Sequence, residues 1–279
     1  MVTSFVTAVC LAAGLVSGEP ALVGDGFTFT EGPVYHATEG WYFSDPPEGV
    51  VYRLDKSRVR TESGAANGLA FDSSNRLVCA EGGSGRITRL EPDGELTILA
   101  ERYEGSRLNA PNDLVIHSDG TIYFTDPKPL REEDRVRDFS GVYALRGDGT
   151  LDLLVYDMRY PNGIGLSPDE SVLYIADTAG REIRAYDLTS EGVSNGRRHA
   201  EVPIPDGFAV DAEGRIWAAV SGGIQVIGAD GQLLHKIAIR PAPTNCAFGG
   251  TNGSTLLVTA RPSVFELITA TRSGNLPKP

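Results

Sequence analysis

The sequence is poor in the residues from which thiolate, redox and histidine-based sites are built. Only 3 of its 279 residues are cysteine and 4 are histidine. Cys10, Cys79 and Cys246 are widely spaced among apolar or small residues, so they form no metal or redox motif and are predicted to be small buried side chains. There is no G-x-S-x-G segment and the histidines show no triad pattern, which argues against a serine hydrolase.

Positive charge is also scarce. The chain has 25 Lys and Arg against 37 Asp and Glu, a formal net charge of −12. Nucleic acid and anionic membrane surfaces would be repelled by this charge, so neither is expected as a partner. The same excess of acid biases any internal cavity towards cations.

Long apolar runs are absent except near the N-terminus. The segment from Phe5 to Val16, FVTAVCLAAGLV, is uncharged and apolar as in a secretory signal, but it lacks a positive leading region and is too short to span a membrane. Two interpretations stay open for residues 1–18, an export signal or an ordinary N-terminal arm. A cytoplasmic and an exported location therefore also stay open.

What the chain does contain is a repeated hairpin motif. Each copy begins with Glu, Asp or Asn, continues through an apolar run and a turn, and ends 14 or 15 residues later. The copies span 31–45, 67–81, 112–126, 162–177, 206–221 and 245–260, so successive starts are 36, 45, 50, 44 and 39 residues apart. A near-constant inner spacing with a variable outer one indicates fixed hairpins joined by variable loops.

Further strand-like runs lie between the hairpins, and Asp-Gly pairs at 93–94, 148–149 and 230–231 mark turns. We therefore predict an all-β fold, a six-bladed β-propeller with four-stranded antiparallel blades around a central metal-containing tunnel. Residues 19–272 are predicted to form this single domain, with 273–279 as a C-terminal tail. The run before Glu31 is expected to pair with residues 263–269 and close the ring, which protects exposed strand edges.

The first residues of the six hairpin motifs would face one another at one end of the tunnel. All six carry a side-chain oxygen and none is Lys, Arg or His; they are Glu31, Asn67, Asn112, Asn162, Asp206 and Asn245. Converging carboxylates repel one another unless a cation lies between them, and hard divalent cations prefer oxygen ligands. The alternative is that each residue merely caps its own strand. The ligand set predicted from this chemistry is Glu31, Asn112, Asn162 and Asp206, with Asn67 and Asn245 as outer or substrate-binding groups.

Eight segments carry a resemblance to a known family. They are TEGPVY (30–35), YFSD (42–45), ANGLAFD (66–72), LNAPNDLV (108–115), YFTDP (123–127), PNGIGLSPD (161–169), PDGFAVD (205–211) and TNCAFGG (244–250). From about Phe27 to Leu267 the chain resembles the gluconolactonase, regucalcin (senescence marker protein) and luciferin-regenerating-enzyme-like family, and within it the bacterial gluconolactonases.

The resemblance implies a propeller hydrolase that uses one divalent metal ion. The metal ligands of the family correspond to Glu31, Asn112, Asn162 and Asp206, and the catalytic acid–base corresponds to Asp206. Asn67 corresponds to a substrate-side position, and Arg107 resembles a substrate-contacting arginine at a different spacing.

The resulting hypothesis is a metal-dependent lactonase acting on a small sugar lactone, with the ion as Lewis acid. Ca²⁺ is the first choice by ligand type, with Mg²⁺, Mn²⁺ or Zn²⁺ as alternatives. Two other functions stay open: a phosphotriesterase at the same site, and a non-catalytic binding propeller with a structural ion. The charged insertion at 128–138 is interpreted as a solvated loop, or as a lid that affects substrate choice.

Overall fold

The computed structural model describes residues 14–129, 131 and 136–274 of the chain. These residues form strands, turns and bends without any helix, as the near-absence of helical periodicity predicts. Over the same ranges there is accordingly no helix long and apolar enough to cross a membrane.

The strands are short, apart from the first and the last. In chain order the first twelve are β1 (Val16–His36), β2 (Gly40–Asp45), β3 (Val50–Arg53), β4 (Arg58–Thr61), β5 (Ala66–Phe71), β6 (Leu77–Glu81), β7 (Arg86–Leu90), β8 (Leu96–Ala100), β9 (Arg102–Tyr103), β10 (Ser106–Arg107), β11 (Leu114–Ile116) and β12 (Ile122–Asp126). The other twelve are β13 (Gly141–Leu145), β14 (Leu151–Val155), β15 (Pro161–Leu166), β16 (Val172–Asp177), β17 (Glu182–Thr189), β18 (Gly192–Glu201), β19 (Phe208–Val210), β20 (Ile216–Val220), β21 (Gly223–Ile227), β22 (Leu233–Ala238), β23 (Asn245–Gly249) and β24 (Thr255–Thr269).

These strands form a propeller-like arrangement of small antiparallel sheets. Four sheets have four strands each, in the orders β5-β6-β7-β8, β11-β12-β13-β14, β15-β16-β17-β18 and β19-β20-β21-β22. A fifth sheet has six strands in the order β23-β24-β1-β2-β3-β4, and β9 and β10 form a separate two-stranded ribbon. The prediction of four-stranded blades therefore fits, whereas the prediction of six separate blades is wrong, because hydrogen bonding gives five.

The difference in number arises where the chain closes on itself. β1 is continuous over 21 residues: its first part pairs with the second half of β24, with Ala21 opposite Glu266, and its last part pairs with β2. The hairpins that begin at Glu31 and Asn245 therefore share one sheet. The predicted closure by residues before Glu31 is confirmed by this pairing.

The predicted chain ends lie mostly outside the described residues. Of the arm or signal at 1–18, only residues 14–18 are described, and β1 already begins at Val16. Of the tail at 273–279, Ser273 forms a β-bridge with Asp211, and residues 275–279 are outside the description.

The core is divided into apolar clusters, each formed where successive repeats pack together. Six such clusters are present among the described residues. The second strand of every hairpin is almost fully buried, whereas outer strands such as β18 and β22 are largely exposed. Cys79 and Cys246 are buried free thiols in two of the clusters, as predicted; Cys10 lies outside the described residues.

Candidate metal centre and active site

The first residues of the repeated hairpins follow one another around the inner end of the sheets. Backbone hydrogen bonds join neighbouring repeats at this end. They run from Gly68 N to Asn112 O (2.7 Å), from Gly163 N to Asp206 O (3.3 Å) and from Gly207 N to Thr244 O (2.8 Å). Three repeats therefore hold the backbone of the residue that opens the next repeat, or of the residue directly before it.

Buried hydroxyl groups make further links around the same ring. Ser44 Oγ donates to the carbonyl oxygen of Asn67 at 2.6 Å, and Thr125 Oγ1 donates to that of Asn162 at 2.7 Å. Thr244 Oγ1 donates to Thr30 O at 2.7 Å, which connects the last repeat to the first. Because these hydroxyls come from buried strands or their edges, they fix the opening residues to the rigid part of the fold.

Two glycines show why a small residue follows most of the opening positions. A Cβ atom on Gly163 would lie 2.6 Å from Asp206 O, and one on Gly207 would lie 2.0 Å from Asn245 Cγ. Larger residues would push neighbouring repeats apart, so glycine permits the close approach of the opening residues.

Asn162 and Asp206 form the closest polar pair in the ring. Asn162 Nδ2 donates to Asp206 Oδ1 at 2.7 Å. Asn162 is buried and Asp206 is half-buried. The hydrogen bond fixes the orientation of the Asp206 carboxylate and occupies one of its two oxygens.

A second polar connection crosses between the third and the sixth repeats. Asn245 Nδ2 donates to Asp113 Oδ2 at 3.3 Å, and the Asn245 side chain also hydrogen-bonds to Glu31. Leu114 N donates to Asp113 Oδ1 at 2.9 Å. Asp113, Asn245 and Glu31 are all buried, so these contacts form a connected polar group at the centre of the ring.

The ring brings three carboxyl groups into one buried region, and their pKa values rise as a result. Burial, then the negative charges of Asp206 and Asp113, raises the pKa of Glu31 well above its usual value. Burial raises the pKa of Asp113 to about 6. Burial also raises the pKa of Asp206 to about 7; the Asn162 hydrogen bond opposes this rise and the charge of Asp113 adds to it.

The donor set fits a hard divalent cation. Among the described residues, no three His, Cys, Asp or Glu side chains form a metal site by themselves, so amide oxygens have to complete one. Asp206 supplies a carboxylate beside the amide of Asn162, and the charge of Asp206 acts on the Glu31 carboxylate. Two carboxylates and an amide are a combination suited to Ca²⁺ or Mg²⁺. A cation would also offset the mutual repulsion that raises the pKa values of these carboxyl groups.

The other predicted site residues are placed less centrally. Asn67 and Asn112 are half-buried, and their backbone carbonyls take part in the ring contacts given above. Arg107 is exposed, and its guanidinium makes long contacts of 3.5 Å to the carbonyl oxygens of Ser84 and Asn109. The structure thus brings Glu31, Asn162, Asp206 and Asn245 together, and leaves Arg107 outside this group.

The insertion at 128–138 packs beside the segment that leads to Asn112, as far as it is described. Arg137 N donates to Asn109 Oδ1 at 2.9 Å, and the Arg137 guanidinium lies 5.1 Å from the ring centre of Tyr103. Residues 130 and 132–135 lie outside the described part of the chain. The choice between a solvated loop and a lid therefore stays a prediction.

Three residues near the ring were not singled out from the sequence. Asp113 was assigned to the scaffold, yet its carboxyl group is part of the central polar group. Tyr160 is half-buried close enough to Asp206 and Glu31 for their charges, added to burial, to raise the pKa of its phenol. Arg261 follows the last hairpin, and its charge acts on Asp206.

A sequence signal for one of these residues exists. Glycine follows the opening residue in four repeats, at positions 32, 68, 163 and 207, but Asp113 stands at this place in the third repeat. The sixth repeat has Cys246 at this place, so Asp113 is the one charged residue among small ones, which indicates a role beyond strand formation.

The comparisons with known proteins agree on one family. Residues 29–261 match the family described as SMP-30/Gluconolactonase/LRE-like region. A gluconolactonase of Zymomonas mobilis subsp. mobilis is 30% identical over 92% of this chain and 83% of the relative. A pentonolactonase of Haloferax volcanii is 30% identical over 82% of this chain and 80% of the relative. The solved structure of a gluconolactonase from Xanthomonas campestris superposes with a TM-score of 0.86 at 34% identity, covering 94% of this chain and 92% of the other.

Proposed function

Because this chain belongs to the SMP-30/Gluconolactonase/LRE-like family, we propose that it is a metal-dependent lactonase that hydrolyses the ring ester of a sugar lactone. The observation that carries the proposal is the buried convergence of Glu31, Asp206 and Asn162 at one end of the propeller-like fold. The similarity to a gluconolactonase and a pentonolactonase supports a lactone as the substrate. Residues 19–272 would form the catalytic unit.

The proposed ligands of the cation are Glu31, Asn112, Asn162 and Asp206. When bound there, a divalent cation supplies positive charge that polarises the lactone carbonyl. Ca²⁺ is the first candidate because all the donors are oxygens, and Mg²⁺, Mn²⁺ and Zn²⁺ are the alternatives. Asn67, Asn245 and Arg107 are proposed to contact or orient the substrate.

Asp206 is proposed to transfer the protons. Its Oδ1 is held by Asn162 Nδ2, and no hydrogen-bond donor among the described residues occupies its Oδ2. A water oxygen attacks the carbonyl carbon as its proton passes to Oδ2. The ring C–O bond then breaks, and Oδ2 returns the proton to the leaving alkoxide, which gives the open hydroxy acid.

The test is a pH-indicator assay on a panel of sugar lactones, neutral and charged, run with a chelator and after each divalent metal is restored. We expect chelation to abolish hydrolysis, and Asp206→Asn to lower kcat by about 100-fold or more. Asp93→Asn, in an exposed turn, is the matched control and should leave the rate unchanged. Chelator-insensitive hydrolysis, or none on any lactone, would contradict the proposal.

A further inference from the structure

Arg261 occupies a sharp reversal of the chain inside β24. The first half of β24 pairs with β23 and the second half pairs with β1, and Thr269 N donates to Ser254 O at 2.8 Å, so β24 folds back on itself around Arg261. Arg261 has a φ of 57°, in the left-handed region that residues with a Cβ rarely adopt. Outliers of this kind are concentrated at binding sites, and this one invites a functional explanation.

The backbone of Arg261 is fixed to the candidate site. Thr30 Oγ1 lies 2.9 Å from Arg261 O and 3.1 Å from Ser263 O, and Ala260 N donates to Thr30 Oγ1 at 3.2 Å. Thr30 is fully buried and directly precedes Glu31. The position of Arg261 is therefore coupled to that of a proposed cation ligand.

The Arg261 side chain is exposed and lies against an aromatic ring. Its guanidinium lies 5.6 Å from the ring centre of Phe29, which is a cation–π geometry. Its charge lowers the pKa of Asp206, so the guanidinium is within electrostatic range of the ring. Among the described residues, no carboxylate lies within 4.0 Å of it, unlike Arg60 beside Glu81.

An exposed arginine at the edge of an acidic ring provides a place for an anion beside a place for a cation. The ring of carboxylates attracts a cation and repels anions, so an anionic group of a ligand would be stable only outside it. The planar guanidinium offers several N–H donors and binds carboxylate or phosphate in a two-pronged manner. The contact with the Phe29 ring uses no N–H···O hydrogen bond, so it leaves the N–H donors of the guanidinium available.

We infer that Arg261 is a specificity-determining residue that binds an anionic substituent, a carboxylate or a phosphate, on the part of the lactone remote from its ester. The inference rests on the proposed lactonase function and narrows its substrate to negatively charged lactones. Neutral aldonolactones of the same ring size would then be poorer substrates.

The experiment compares three lactones of equal ring size, one neutral, one bearing a carboxylate and one bearing a phosphate. Wild type should favour at least one charged lactone, and the favoured group identifies the natural anion. Arg261→Gln should raise KM for that lactone by about 10- to 100-fold relative to KM for the neutral lactone, which corresponds to one or two lost charge-assisted hydrogen bonds. An effect through the charge of Asp206 would be common to both lactones and cancels in this ratio. Arg261→Lys should restore part of this loss. Arg197→Gln, on the outer strand β18, is the control.

Two results would overturn the inference. One is an equal preference of wild type for charged and neutral lactones. The other is an equal loss on neutral and charged lactones in Arg261→Gln, which would show that the arginine acts only through the charge of Asp206.

A binding measurement separates this inference from the proposed function. Calorimetry with open-chain aldarate, which has two carboxylates, against aldonate, which has one, requires no turnover. Tighter aldarate binding that disappears in Arg261→Gln supports the anion site even if no lactone is hydrolysed, whereas equal binding of the two acids in wild type overturns it.

Discussion

At the scale of single residues, Asp113 changes the electrostatic character of the site. In the proposed ligand set, one divalent cation balances the charges of the two carboxylates, and the two amides are neutral. Asp113 adds a third carboxyl group to the same region. Its contact with Asn245, and the contact of Asn245 with Glu31, tie the third, sixth and first repeats together. Asp113 is therefore expected to position a cation ligand and to increase the negative potential that attracts the cation.

The replacement Asp113→Asn tests this role. It retains an acceptor for Asn245 but removes one negative charge, so the cation dissociation constant should rise by about 10-fold, as for other groups that support metal ligands. In chelator the melting temperature should stay close to that of wild type, because the reduced repulsion among the carboxyl groups offsets the cost of the NH₂ group that would face Leu114 N–H. Calorimetric titration with Ca²⁺ and thermal unfolding in chelator provide the two measurements.

Asp119→Asn is the control for that experiment, because Asp119 is exposed in the turn at the far end of the same hairpin. Unchanged cation affinity in Asp113→Asn would show that the residue only supports the fold.

At the scale of strands, aspartates at the ends of three buried strands hold the segments that lead to the opening residues. Asp45, Asp126 and Asp177 end β2, β12 and β16, and each carboxylate accepts hydrogen bonds from two consecutive backbone N–H groups. The donors are Thr28 and Phe29 (2.7 and 3.1 Å), Asn109 and Ala110 (2.9 and 2.7 Å), and Arg159 and Tyr160 (2.9 and 3.0 Å). These strands therefore position the segments that lead to Glu31, Asn112 and Asn162.

Asp126→Asn should destabilise the fold by about 1–3 kcal/mol, because its NH₂ group would face a backbone N–H and leave a buried donor unsatisfied. The expected measurement is a lower midpoint of denaturant unfolding with an unchanged m-value. Asp148→Asn, in the exposed turn between β13 and β14, should leave the midpoint where it is. A midpoint for Asp126→Asn equal to that of wild type would rule out the anchoring role.

The hairpins and their polar first residues could be predicted from the sequence because they depend on local order. The spacing from Asn112 to Asp126, for example, contains both strands and their turn. The number of sheets could not, because β1 continues as one strand from its pairing with β24 into its pairing with β2, and the sequence pattern does not show this continuity. The roles of Asp113 and Arg261 could not be predicted either, because they depend on contacts with other repeats. The pattern of residues within one repeat does not show such contacts.

At the scale of the whole molecule, the burial of acid couples folding to pH and to the cation. Asp206 has a pKa of about 7 in the folded, cation-free protein, above the ordinary value of 3.8. Between these values the folded state binds more protons than the unfolded state, so the stability contributed by Asp206 is full below pH 4 and is lost as the pH rises through 7. Cation binding requires the ionised form and therefore strengthens over the same range.

The difference in unfolding free energy between wild type and Asp206→Asn cancels the titrating groups that do not interact with Asp206, so it reports on Asp206 together with its buried neighbours Glu31 and Asp113. In chelator, wild type should lose stability relative to the variant by about 1.4 kcal/mol per pH unit across the middle of the range from pH 4 to 7. With saturating Ca²⁺ the trend should reverse, because the cation stabilises the ionised wild-type site. Denaturant unfolding at pH 5, 6, 7 and 8 measures both trends, and a pH-independent difference in chelator would exclude a buried, raised-pKa Asp206.

The pairing of β1 with β24 also has a consequence for biosynthesis. Thr30 and Arg261 are 231 residues apart in the chain, yet their hydrogen bond lies next to Glu31. Translation makes Glu31 before Arg261, so a nascent chain holds the first part of β1 without its partner until β24 has been made. The ring around the proposed cation site consequently closes only after β24 has been made, and a translation product interrupted before β24 would carry the four proposed ligands without a closed ring to hold them.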